Sequence, residues 1–294
     1  MDAFWIILTG SFVAISCALL GSFLVLRKMA MVADAVSHAV LPGLVIAFLI
    51  SGNRNSVPML LGAALVGVLT TWLIETLQNR FRLQTDAAIG VVFTALFSLG
   101  VILVSAYADQ VELDQECILF GEIAYVPLDI WVNGAGQVMG PIPTWILGGL
   151  LVLVLGFVTF GYKGLQITTF DDNYALSLGI STLGWHYALM SMVSVTTVVS
   201  FDAVGAILVV AFFVIPAATA YLLTKSLRTL LWLSSTIGVA SVVLGYGLAV
   251  WLDSSIAGSI ATVSGTLFCL VMAGKSIKRW AVSRQHGRLE TVES

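Results

Sequence analysis

Charge is scarce in this chain. Of its 294 residues only 10% are Asp, Glu, Lys or Arg, where a soluble domain carries about 25%. That shortage excludes a water-soluble globular protein. With 59% hydrophobic residues and a mean hydropathy of +1.02, it leaves an integral membrane protein. Cysteine is also rare, at three. Cys17 and Cys269 lie in apolar runs and read as small core residues, and Cys117 lies in a polar loop without an obvious partner. No disulfide framework or Cys-type metal site is readable. There is no Gly-rich loop ending in Lys-Ser or Lys-Thr to cradle phosphates, so the chain itself should hydrolyse no ATP. There is no soluble domain large enough to fold alone, and no short-period repeat or low-complexity tract. Nothing suggests a nucleic-acid partner. No basic residue precedes the first apolar run, Phe4 to Leu26, whereas Arg27 and Lys28 follow it. That is the wrong polarity for a cleaved signal, and the run reads as a retained span with its N-terminus outside.

What remains is a succession of apolar stretches. About nine are long enough to cross a hydrocarbon core at roughly 20 residues each: 4–26, 30–50, 57–76, 86–106, 143–162, 184–200, 203–223, 229–251 and 255–274. Between 184 and 223 the only break is Ser200-Phe201-Asp202, which is read as a tight external turn. The fold class is therefore all-α, a polytopic bundle in the cell membrane with its N-terminus outside and its C-terminus in the cytoplasm. The basic residues test this layout. Arg27, Lys28, Arg80, Arg82, Lys163, Lys225, Arg228, Lys275, Lys278, Arg279, Arg284 and Arg288 all fall inside, and only Arg54 falls outside, in keeping with the positive-inside bias. The loop from Tyr107 to Gly140 faces outward with Asp109, Glu112, Asp114, Glu116, Glu122 and Asp129 and no basic residue. Residues 1–280 form the transmembrane domain and 281–294 a polar cytoplasmic tail. The 27 glycines suit helices that pack closely in lipid.

Asp34 and His38 stand out because they are ionisable residues inside the second apolar stretch, where such residues are expensive and by default suggest a function. Four apart, they share one helix face. Asp34 is roughly 10 Å and His38 roughly 16 Å in from Arg27 at 1.5 Å per residue, which puts His38 near the midplane. A carboxylate and an imidazole one turn apart can grip a divalent transition metal. Leu41-Pro42-Gly43 follows directly, predicting a kink or a broken helix, and transporters place substrate sites at such breaks. The bland alternative is that the pair only glues helices together.

Other polar residues carry less. His186, near the inner end of the sixth span, is either a packing residue or a secondary functional one. His286 lies in the tail. Glu75, Asp202 and Asp253 are most simply boundary residues. The inner loop 166–180 is distinctive: Thr169 or Asp171 can cap a short helix through Ala175 and Leu176, with Gly179 as its stop. Phe170, Tyr174 and Leu178 recur at spacing four as an apolar stripe, giving either a docking knob for a soluble partner or an interfacial connector. Pro216, in Phe212-Phe213-Val214-Ile215-Pro216-Ala217-Ala218-Thr219-Ala220, implies a kinked helix with small residues for close contact.

Together these runs resemble the membrane permeases of the ABC-3 family, which import manganese, zinc or iron(II). The likeness rests on Leu26-Arg27-Lys28-Met29-Ala30 leading into Asp34-Ala35-Val36-Ser37-His38-Ala39-Val40-Leu41-Pro42-Gly43, on the loop Thr169 to Ile180, and on Val204-Gly205-Ala206-Ile207-Leu208 through Ala220. It covers the chain to about Gly274, and the loop Leu113 to Ile123 is similar to manganese-type members. The resemblance implies Asp34 and His38 as a transmembrane metal relay, and Phe170, Asp171, Tyr174, Leu178 and Gly179 as a coupling helix seated on the ATPase. It also implies a cytoplasmic ATP-binding subunit dimer, an extracytoplasmic metal-binding protein, a second permease copy or a sister permease, and surrounding lipid. It implies no permanently bound cofactor, with Mn2+, Zn2+ or Fe2+ as cargo. The chain departs from many relatives at Val32-Ala33-Asp34, where they have Gly before the Asp, and the segment Val126 to Pro143 has no assigned role. Two further readings stand against the importer: a stand-alone proton-coupled carrier, in which the pair relays protons, and an intramembrane aspartyl protease using Asp34 and Asp202, which the expected depths of the two residues disfavour.

Overall fold

Helix α1 (Asp2–Leu26) is apolar all round, and a helix of that kind belongs in the centre of a bundle. In the computed structural model Val13, Ala14, Cys17, Ala18, Leu20, Phe23 and Leu24 are fully buried on it. The structure describes residues 2–51, 56–107, 123–132 and 138–290. The acidic loop residues Asp109, Glu112, Asp114, Glu116 and Glu122, together with Cys117, Arg54 and most of the run Leu113 to Ile123, lie outside the described residues.

After α1 come α2 (Val32–Ala39), α3 (Leu41–Ser51), α4 (Ser56–Phe81) and α5 (Thr85–Tyr107). A single 3-10 turn (Val126–Leu128) and an antiparallel hairpin, β1 (Ile130–Val132) with β2 (Val138–Pro141), fill the described part of the unassigned segment, with Ile130 opposite Pro141 and Val132 opposite Val138. Then follow α6 (Ile142–Phe160), α7 (Tyr162–Phe170), α8 (Asp172–Ser177), α9 (Thr182–Val204), α10 (Ala206–Leu223), α11 (Leu227–Leu252) and α12 (Ile256–Glu290). The backbone of the expected tail thus continues helical to residue 290.

Helix α1 packs most closely on α10, α11 and α6. Hydroxyls tie these helices together: Thr9 Oγ1 to Thr144 Oγ1 at 2.7 Å, and Ser22 Oγ to Ser234 Oγ at 3.0 Å. Buried hydroxyl pairs of this kind are the usual polar link between helices in lipid. Gly21 permits the α1–α10 contact, since a Cβ there would run into the Phe213 backbone carbonyl. A second group, α2 to α5, is held by α3 against α4, where a Cβ on Gly43 would stand 2.5 Å from the Gly62 carbonyl oxygen. Helix α9 joins the two groups, contacting α4 and α2 on one side and α1 on the other. Large apolar side chains such as Ile102, Trp232 and Trp251 face outward, which suits a surface bathed in lipid.

Three expectations change. Among the described residues, eight segments rather than nine are long and apolar enough to cross a membrane; the second of them combines α2 and α3. Helix α9, 23 residues long, is not among the eight. Nor is Ser200-Phe201-Asp202 the break between spans: α9 runs through it to Val204, and the chain turns at Gly205 with φ +77°, a backbone that glycine adopts without strain. Cys269 is exposed, not a core residue; of the two described cysteines, Cys17 is the buried one.

Candidate functional site

The interruption expected at Leu41-Pro42-Gly43 falls at Val40 and is mild: Val40 keeps helical dihedrals, its N–H reaches the Val36 carbonyl and its own carbonyl accepts from the Leu44 N–H. Helix α2 stops at Ala39 and α3 begins at Leu41. Pro42 lies in the first turn of α3, where a missing N–H is tolerated, and it offers no hydrogen to the carbonyl of His38 four residues back. Immediately before the break, His38 Nε2 lies 3.7 Å from Asp34 Oδ1, and the two side chains are 30% and 41% exposed. That gap is too long for a hydrogen bond. Two donors each about 2.1 Å from one ion at a near-tetrahedral angle would stand roughly 3.4 Å apart, so the observed spacing fits one shared cation with little adjustment. The His38 ring is held by Phe93 and Phe97, with centroids 5.6 and 6.2 Å away. These aromatic walls come from α5 and limit the rotamers of the imidazole. Among the described residues no group of three or more His, Cys, Asp and Glu could hold a metal.

Helix α8 is built as its caps predict. The Asp171 carboxylate accepts the Tyr174 backbone N–H at 2.9 Å, satisfying an end-of-helix donor. At the other end Gly179 has φ +74°, and the Gly179 and Ile180 N–H groups donate to Leu176 and Ala175 carbonyls, closing the helix. Phe170, Tyr174 and Leu178 are 61%, 54% and 52% exposed, an apolar stripe that nothing among the described residues covers.

Sequence reasoning missed one cluster at the same end of the bundle as α8. Arg27 donates from Nε to Thr169 Oγ1 at 3.1 Å and from Nη2 to Thr168 Oγ1 at 2.9 Å, while its Nη1 meets His186 Nδ1 at 3.2 Å. Burial lowers the pKa of Arg27 from its ordinary value, and the nearby Asp172 charge opposes that shift; a guanidinium stays protonated regardless. The other ring nitrogen of His186 lies 3.8 Å from Glu75 Oε2. Glu75, expected at a boundary, is only 8% exposed, and its Oε1 accepts from Asn79 Nδ2 at 3.4 Å. The Asn79 partner at spacing four is the one sign in the sequence that this carboxylate turns inward. The pairing with His186 crosses from α4 to α9 and has no local signature. Asp253 occupies a left-handed turn after α11, φ +50°, and keeps its boundary role.

Known proteins share this architecture. The model of the family described as "ABC 3 transport family" matches residues 3–275. The manganese transport system membrane protein MntD of Bacillus subtilis is 50% identical over 264 residues, covering 90% of this chain and 89% of that protein. The zinc transport system membrane protein TroD of Treponema pallidum is 42% identical over 272 residues, 90% and 72% respectively. Among solved structures, PsaBC from Streptococcus pneumoniae in complex with Fab superposes with a TM-score of 0.74 at 30% identity, covering 91% of this chain and 89% of the matched one. An inward-facing ABC transporter of metal-chelate type superposes at 0.68 with 16% identity and so shares the fold. With its multi-pass helical architecture and a match across nearly its whole length, this chain belongs to the ABC 3 transport family, as the membrane permease subunit of an ABC-type transport system.

Proposed function

We propose that this permease imports manganese(II), with zinc and iron(II) as competing cargo, and that the ion passes between Asp34 and His38. The observation that carries this reading is the carboxylate–imidazole gap of 3.7 Å, too long for a hydrogen bond, beside the junction of α2 and α3. The pair would replace part of the hydration shell of the ion as it enters the helical region. Neutral imidazole and carboxylate suit manganese, iron(II) and zinc alike, and affinity alone favours zinc. Discrimination therefore lies in geometry and in the protein that delivers the ion. Two relatives support this cargo class, since MntD is named for manganese and TroD for zinc.

The energy comes from a separate cytoplasmic ATP-binding subunit dimer, and the exposed stripe of Phe170, Tyr174 and Leu178 is its docking surface. An extracytoplasmic metal-binding protein hands over the ion. A second permease, identical or a sister chain, completes the path. Helix α9 crosses with the other eight, which makes nine spans with the N-terminus outside. The end of the bundle that gathers Arg27, His186 and the Lys275 ammonium on the Leu222 carbonyl faces the cytoplasm, in line with the positive-inside bias. Asp34→Asn tests the metal path. In the assembled complex it should lower manganese uptake on the order of 10–100-fold, the cost of disturbing a metal site. Uptake at the wild-type rate would remove the pair from the path.

A further inference from the structure

We propose that Arg27, His186 and Glu75 form the joint through which movement of the ATPase-docking segment reaches the helix carrying Asp34 and His38. This rests on the importer reading above and assigns positioning residues to it.

The joint spans four elements. Thr168 and Thr169 lie in the last turn of α7, directly before Phe170 and Asp171, so whatever moves α8 moves them. Both hydroxyls accept from Arg27, and its remaining nitrogen meets His186 near the start of α9. A guanidinium only donates. His186 Nδ1 is therefore the acceptor, and in the neutral ring Nε2 carries the hydrogen. Across from that nitrogen, on α4, Glu75 Oε2 lies 3.8 Å away, buried and not yet reached by the imidazole, while the Tyr187 hydroxyl is a side-chain hydrogen-bond partner of the same carboxyl group. Leaving a buried polar oxygen short of a hydrogen bond is expensive. At 3.8 Å the imidazole is roughly 1 Å beyond hydrogen-bond distance. A small approach of α9 to α4 would complete the contact, so the joint has one slack and one closed arrangement. Packed interfaces convert small shifts into discrete states in this way.

Two routes lead from the joint to the metal pair. Arg27 belongs to the tight turn between α1 and α2, which Arg27, Lys28, Met29 and Val32 N–H groups close onto Phe23, Val25, Leu24 and Met29 carbonyls, with Lys28 at φ +59°. Movement of Arg27 therefore turns α2 at its root. The second route follows the α4–α9 seam. Two helical turns from Glu75, Gly67 lies against Ser194 of α9 and Val36 of α2, and Val36 stands between Asp34 and His38. A second cation site at Glu75 and His186 is the competing assignment. The guanidinium at His186 Nδ1 opposes it, because it repels a cation and holds the proton on the nitrogen that a metal would need.

The test uses the full complex, permease with ATPase subunit and binding protein, in proteoliposomes. It reads manganese transported per ATP hydrolysed. His186→Ala should lower that ratio about tenfold or more, within the range of coupling energies between linked sites. His186→Gln should restore it, since an amide accepts from Arg27 and donates to Glu75 while being a poor metal ligand. A wild-type ratio in His186→Ala overturns the joint, and so does a loss that Gln fails to rescue. If His186→Ala does not assemble, Thr168→Val with Thr169→Val removes the same link from the docking side, and an unchanged ratio there overturns the joint equally. Asp34→Asn run in parallel keeps the two ideas apart: if it transports normally the Asp34–His38 metal path fails, whereas a wild-type His186→Ala with an inactive Asp34→Asn fails the joint alone.

Discussion

Asp34 and His38 were legible because a charge inside an apolar run is rare and costly, and their spacing of four on a helix needs no tertiary knowledge. Glu75 was not legible, because the residue that faces it is on α9 and the Arg27 that organises the pair is on α1. Its burial is a property of the assembled bundle. Gly21 was hidden for a related reason: one glycine among 27 shows its purpose only once the Phe213 carbonyl lies against it. Gly21→Leu should separate α1 from α10 and destabilise the permease by about 1–3 kcal/mol or more, the cost of overpacking. A lowered melting temperature of the purified protein in detergent checks this, and an unchanged one would mean that the contact is looser than described.

At the scale of elements, α8 followed from its own sequence, since Asp171 and Gly179 cap it locally. Asp171→Ala should cost about 1 kcal/mol of local helix stability and weaken ATPase binding. Phe170→Ala with Tyr174→Ala should weaken it further by removing the exposed apolar stripe. Co-purification of the ATPase subunit with each variant measures both effects, and wild-type recovery with the double variant would make α8 a plain connector. The turn between α9 and α10 was misplaced for a physical reason. Polarity pointed to Ser200-Phe201-Asp202, but Ser and Asp are tolerated within a helix packed among others, and the chain reverses where a positive φ is available, at Gly205. The hairpin of β1 and β2 had no clear pattern to announce it, being only three and four residues long.

For the whole molecule, membrane character came from composition, and the sidedness rests on where the basic residues fall. The account places Ser177 inside and Ser254 outside. In a cysteine-free background, Ser254→Cys should react with a membrane-impermeant maleimide in intact cells, and Ser177→Cys only after the membrane is opened. The reverse pattern would invert the topology. The family membership connects this architecture to transport, and the central claim is that the ion crosses beside α2. The measurement that bears on it most directly is uptake of radiolabelled manganese by cells carrying all partner proteins, wild type against His38→Ala, with assembly of the complex verified and zinc as competitor. The account predicts that uptake collapses in the assembled variant and that zinc competes in the wild type. Uptake retained in His38→Ala would contradict it, and would leave Asp34 and His38 as helix glue with the ion crossing elsewhere.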